Sequence, residues 1–228
     1  MIPEINTRYE REPDQLEDFL LFDSGRENGQ NRFLVFSTRR NIEILARSNH
    51  WAMDGTFDVA PALFTQVYSV HADYLNRSLP LVIGVLPNKR RTTYNAFLTE
   101  LQNVANNILQ PDSIITDFEM AAIQAIGDVF PNASRTGCFF HLTKNIHRRV
   151  QAAGLQENYE NDANFALQCR MISALAFVPP ADVVTSFETL TGELPNVLVP
   201  VLDYFEDTYI GRPDRRGVRR APLFPIHL

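Results

Sequence analysis

Cysteine is scarce in this chain: its 228 residues contain two, Cys138 and Cys169. That excludes a disulfide framework as the source of stability and fits a reducing compartment. No apolar run approaches the roughly 18 residues that a membrane-crossing helix needs, so no membrane partner is expected. The opening MIPEINTRYEREPD lacks the apolar stretch of a secretory signal, which leaves a nuclear or cytoplasmic location. Bases are also in deficit, with a formal net charge of −6. A phosphate-binding protein needs Lys and Arg, so this balance counts at first sight against a nucleic-acid partner.

The distribution of charge changes that reading. Residues 1–30 hold eight acids and three bases, which leaves 19 acids and 18 bases for the rest of the chain. Near the C-terminus the balance reverses: RPDRRGVRRAP carries Arg212, Arg215, Arg216, Arg219 and Arg220 against Asp214. Two readings are open for these arginines, a strip that contacts DNA phosphates and a solvated linker.

What the chain does have is apolar bulk. Hydrophobic residues make up 45% and phenylalanine occurs 16 times, enough for a sizeable globular core. Residues 1–31 read as an acidic, partly ordered leader with helix-like spacing at Leu16, Phe19 and Leu20. A short strand over 32–37 and a helix over 38–49, capped by Thr38, follow. Three extended segments, 51–59, 64–72 and 79–86, are rich in β-branched and aromatic residues and joined by short connections, which suggests an antiparallel meander. Tyr94, Phe97, Leu98, Leu101, Val104, Ala105 and Ile108 recur at helical intervals over 92–109. The run SIIT at 113–116 reads as a buried strand, 120–130 as a helix stopped by Pro131, 134–140 as another strand and 141–153 as another helix.

Three meandering strands followed by alternating helix and strand is the order of the ribonuclease H-like fold. The expected class is therefore α/β, with a ribonuclease H-like core over 32–154 built on a mixed five-stranded sheet. Residues 155–211 show helical spacing without convincing strands and read as an all-helical insertion. Residues 212–228 form the arginine-rich segment that leads toward the last core element.

Two acids stand out. Asp54 lies inside the apolar run WAMDGTF, and Asp117 ends the run IITDFE. A carboxylate buried in such a run must be hydrogen-bonded, paired or metal-bound, because an isolated buried charge costs several kcal/mol or more. Two of them on neighbouring strands would repel unless a cation joined them. Hard cations such as Mg²⁺ take carboxylate and phosphate oxygens, so the pair points to phosphodiester chemistry. Cys138 and His141 have two residues between them at a strand-to-helix junction. Structural zinc needs four ligands, and neither Cys169 nor His50, His71, His147 or His227 supplies a second such spacing, so zinc is not expected. The run Lys89-Arg90-Arg91 reads as a charged turn and Lys144, Arg148 and Arg149 beside His147 as the polar face of a helix; each is a solvated surface more often than a DNA contact. The Asp-Gly-Thr at 54–56 is similar to a phosphatase nucleophile motif, but Ala52 stands where that motif needs its nucleophile.

MDGTF, ITDFEMAAIQAI and GCFFHLTKNIHRRV, in that order and spacing, resemble the core of Mutator-like element (MULE) transposases, as do YFEDTYIG and RRAPLFPIHL. The resemblance spans roughly residues 32–228. It implies a DDE-type transposase that cleaves DNA and transfers strands by two-metal chemistry with Mg²⁺ or Mn²⁺, with DNA as partner and a homo-oligomer compatible. Asp54 and Asp117 match the first two acids, and Cys138 and His141 match a Cys-x-x-His signature that supports the active site. The family's third acid follows the stretch resembling RRAPLFPIHL, and Glu206 in YFEDTYIG matches its insertion instead. The resemblance therefore implies a fragment of a transposase with impaired catalysis, or a domesticated, non-catalytic DNA-binding or regulatory protein.

Overall fold

The structure, a computed structural model, describes residues 8–10 and 16–228. By its contacts the chain divides into two compact units that meet between Thr136 and Gly137.

The first unit is built on a sheet. Strands β1 (Arg8–Glu10) and β2 (Leu16–Asp18) form an antiparallel pair of their own. The main sheet takes β3 (Leu20–Asp23), β4 (Leu34–Phe36), β5 (His50–Thr56), β6 (Gln66–Tyr74), β7 (Arg77–Leu86), β8 (Ser113–Thr116) and β9 (Ser134–Gly137), in the spatial order β3-β4-β7-β6-β5-β8-β9. Strands β5, β6 and β7 form the expected antiparallel meander, and β8 pairs parallel with β5, so the sheet is mixed. It has seven strands where five were expected. The difference lies at its N-terminal edge, where the helix-like spacing of Leu16, Phe19 and Leu20 gives way to extended chain. Pairing decides this: β3 lies antiparallel on β4, and rings meet across the pair as Phe19 with Phe36 and Phe22 with Phe33, at 5.7 and 5.5 Å. Residues 1–7 and 11–15 of the leader lie outside the described residues.

Helix α1 (Arg39–Ala46) starts at Thr38, whose hydroxyl accepts from the Asn41 amide at 3.1 Å. Helix α2 (Arg91–Val104) buries Tyr94, Phe97, Leu98 and Leu101, one face at helical spacing. Helix α3 (Met120–Val129) ends before Pro131. Together α2 and α3 cover one face of the sheet, where Trp51, Met53, Tyr68, Val70, Ala72 and Ile114 join their side chains in a single core. Alternation along β5 and β6 then places Ala52, Asp54, Ser69 and His71 on the other face.

The second unit is helical: α4 (Phe139–Ala152), α5 (Gln156–Asn161), α6 (Ala163–Ala174), α7 (Val183–Glu193) and α8 (Val199–Phe205), then a π-helical turn over Glu206–Ile210. Its core joins Leu142, Ile146 and Val150 of α4 to Phe165, Cys169, Ile172, Phe187, Leu202 and Phe205, all buried. Strands are absent from 155–210, as the spacing suggested.

Candidate functional site

The position of the two acids follows from strand register. Along the parallel pair β5 and β8, Trp51 lies opposite Ile114, Ala52 opposite Ile115 and Met53 opposite Thr116. Asp54 and Asp117 are each the next residue, so they stand side by side where β8 ends. The start of that register is fixed by the Asn49 carbonyl, which accepts from the amides of both Asp112 and Ser113 at 2.8 and 3.1 Å. Both aspartates are half-buried, and each turns one carboxylate oxygen away from solvent.

Tyr68 shows how closely the acids gather. Its ring is buried in the core, and burial pushes its phenol above the ordinary range; the nearby charges of Asp117, Glu119 and Asp54 push in the same direction. Three carboxylates thus act on one hydroxyl.

Glu119 is held by built contacts. Tyr94 donates to its Oε1 at 2.8 Å, and Lys89 Nζ lies 3.3 Å from its Oε2. The Tyr94 hydroxyl in turn accepts from Gln66 Nε2 at 2.8 Å, and the same amide reaches the Asn88 carbonyl at 3.3 Å. Gln66 is fully buried, so this chain of polar groups ties β6, α2 and the turn after β7 to the residue that precedes α3. Gly55 makes room for it: a Cβ there would stand 2.7 Å from Gln66 Oε1.

On the outer face of β6 the Ser69 hydroxyl donates to the Asp54 carbonyl at 3.3 Å, and the His71 ring lies 2.8 Å from that hydroxyl. Burial pulls the His71 imidazole below its ordinary value, opposed by the charge of Asp54.

Cys138 and His141 lie in the second unit. Cys138 is half-buried at the residue preceding α4, where its carbonyl accepts from Leu142, and His141 is half-buried in the first turn beside the Phe140 ring. Cys169 is buried within the helical core, which pushes its thiol up to about 11.

The five arginines divide into two groups. Arg219 donates to Glu206 at 2.8 Å, to Glu188 at 2.7 Å and to the Gly211 carbonyl at 2.6 Å. Arg212 reaches Asp207 at 2.9 Å and Asp203 at 3.2 Å. These two side chains knit the segment to α7, α8 and the π-turn, and Glu206 is mostly buried in the process. Arg215, Arg216 and Arg220 are exposed. The first two sit at the tip of a hairpin-like turn whose Asp214 carboxylate accepts from the amides of Arg216 and Val218.

Among the described residues no group of three or more His, Cys, Asp or Glu side chains stands ready to hold a metal. As site residues, sequence reasoning passed over Glu119, Tyr94, Gln66 and Tyr68, and it weighed Lys89 only as part of a basic run. Only Glu119, two residues beyond Asp117, carried a local signal; the others reach the acids through strand pairing.

No match was found among curated proteins. A family model does match, over residues 50–145, the stretch that contains Asp54, Asp117, Cys138 and His141: that stretch is similar to the MULE transposase domain.

Proposed function

We propose that this domain is the catalytic centre of a Mutator-like DNA transposase with ribonuclease H-like architecture, in which Asp54 and Asp117 hold a divalent cation, Mg²⁺ or Mn²⁺. The observation that carries the reading is the register that sets two half-buried aspartates next to each other at the end of β8. Adjacent carboxylates repel, and a hard cation with oxygen ligands relieves that repulsion. The donor set fits such an ion: two carboxylates, which offer hard oxygen ligands. A divalent cation bound there supplies Lewis-acid activation of a phosphodiester.

The chain's own residues do the rest. The Glu119, Tyr94 and Gln66 network fixes the turn that carries Asp117. Arg215, Arg216 and Arg220 offer free positive charge to DNA phosphates, while Arg212 and Arg219 hold the segment that presents them. Cys138 and His141 support the active site or the DNA near it.

A second reading is a non-catalytic, transposon-derived DNA-binding protein. It is favoured by one observation, that no third carboxylate completes a metal-holding group among the described residues.

Titration with Mn²⁺, followed by electron paramagnetic resonance, tests the site. The intact chain should bind weakly, and Asp54→Asn and Asp117→Asn should each abolish binding. Equal Mn²⁺ affinity in both variants, or robust Mg²⁺-dependent nicking of plasmid DNA that survives Asp117→Asn, would overturn the assignment. Weak binding without any nicking selects the second reading.

A further inference from the structure

Phe57 leaves the end of β5 three residues after Asp54 and is 41% exposed, an unusual posture for a ring that is nevertheless held in place. The ring folds back along the strand, so that its Cζ lies 3.6 Å from the point a Cβ on Gly55 would occupy. Lys89 Nζ sits 3.5 Å from the ring centroid and 3.3 Å from Glu119 Oε2. One ammonium therefore joins an aromatic ring to the acidic end of the sheet.

The turn that delivers Lys89 is rigid. The Asn88 carboxamide oxygen accepts from the Arg90 amide at 3.0 Å and the Thr93 hydroxyl at 2.7 Å. The Asn88 carbonyl accepts from the buried Gln66, and the Pro87 carbonyl from the Thr65 hydroxyl at 2.6 Å. Lys89 itself keeps 42% of its side chain exposed. Its neighbour Arg91 is instead committed to Asp128 at 2.8 Å, so Lys89 is placed differently from the rest of its basic run.

A partly open aromatic ring with a cation against it matches the chemistry of an unpaired nucleotide, whose base stacks on rings and whose phosphate seeks an ammonium. We propose that Phe57 and Lys89 form a nucleotide subsite for a DNA strand: the ring stacks one unpaired base, and the ammonium contacts the phosphate beside it. Lys89 ties the subsite to Glu119, two residues beyond Asp117, so it anchors the strand at the acidic end of the sheet. This inference rests on the reading of Asp54 and Asp117 as the phosphodiester-reacting end.

The test uses the full chain in EDTA, which separates strand binding from metal binding. Single-stranded oligonucleotides that carry 2-aminopurine at successive positions report stacking by fluorescence quenching, and anisotropy reports affinity. The wild-type chain should quench one position. Phe57→Ala should remove that quench and weaken binding on the order of tenfold, the loss of one stacked base, while Phe57→Trp restores both. Lys89→Gln should lower the salt dependence of binding by about one phosphate contact. Asp54→Asn should keep the quench while losing Mn²⁺. No quench in the wild-type chain, or an equal quench in Phe57→Ala, overturns the subsite. If the quench stands but Asp54→Asn still binds Mn²⁺, the subsite survives and the metal reading falls.

Discussion

The hydroxyl of Tyr94 donates a 2.8 Å hydrogen bond to Oε1 of Glu119, joining the first turn of α2 to the residue before α3. Asp117 lies two residues upstream of that anchor. Tyr94→Phe deletes this bond and the one that the buried Gln66 amide donates, so Glu119 keeps only Lys89 and Gln66 Nε2 only the Asn88 carbonyl. The cost should be about 1–3 kcal/mol, the usual price of leaving a buried polar group unsatisfied. Urea unfolding measures it. Mn²⁺ affinity should fall in the same variant, because the turn carrying Asp117 loosens; unchanged Mn²⁺ affinity at reduced stability would show that the network supports the fold alone.

Two glycines offer opposite outcomes for the same change. A Cβ on Gly84 would stand 2.5 Å from the Phe97 ring, which is fully buried and has nowhere to retreat. Gly84→Ala should therefore destabilise the first unit by about 1–3 kcal/mol through overpacking. Gly192, in α7, has open space around its Cα, and alanine there should add up to about 1 kcal/mol by helix propensity. Thermal melts of the two variants should move in opposite directions; a Gly84→Ala chain as stable as the parent would show that the Phe97 ring can yield.

Most of this arrangement was legible in the sequence, and what was not shares one cause. β-Branched and aromatic enrichment with short connections marked the meander, helical spacing marked α2, and Pro131 marked the end of α3, because each signal is local. Asp54 and Asp117 were visible as acids in apolar runs. Neighbouring strands were expected for them, but the register that sets them side by side was not legible, since it depends on which residue of β5 pairs with which residue of β8. The same holds for the N-terminal edge, where Leu16, Phe19 and Leu20 mimic helical spacing until β4 supplies a partner strand. It holds again for Lys89, read as part of a solvated basic turn, and for Arg212 and Arg219, whose acids lie on other elements.

Asp23 and Arg32 close the hairpin between β3 and β4. Arg32 Nε donates to Asp23 Oδ1 at 2.7 Å, and a second bond joins Nη2 to Oδ2. The hydrogen bonds from Arg32 hold the Asp23 carboxyl below its ordinary range, opposed in part by burial. A carboxyl with a depressed folded value contributes stability above its unfolded value and loses it as the pH falls through the folded one. Asp23→Asn should thus cost about 1.5–3 kcal/mol at pH 7, as for bonds to a charged group. The gap between variant and parent should stay constant down to about pH 5 and narrow as the pH falls below about 4, the unfolded value. Urea unfolding across that range measures it, and a gap that persists unchanged to pH 2.5 would refute the ion pair as its source.

Arg219 and Arg216 are three residues apart and should behave as different kinds of residue. Arg219 is mostly buried against Glu206 and Glu188 and also reaches the Gly211 carbonyl, at a point where the backbone runs so close that a Cβ on Gly211 would strike Arg220. Arg219→Ala leaves the largely buried Glu206 without that partner, and the helical unit should lose about 2–4 kcal/mol. Glu206→Gln keeps part of the hydrogen bonding and should cost less. Arg216→Ala and Arg215→Ala alter only exposed side chains and should leave stability within about 0.5 kcal/mol. On DNA the order reverses: each of these two should lower the salt dependence of binding by about one contact. Circular dichroism melts paired with anisotropy titrations at several salt concentrations separate the two groups. If Arg216→Ala binds DNA as the parent does, the exposed arginines are solvated and the segment serves only to brace the helical unit.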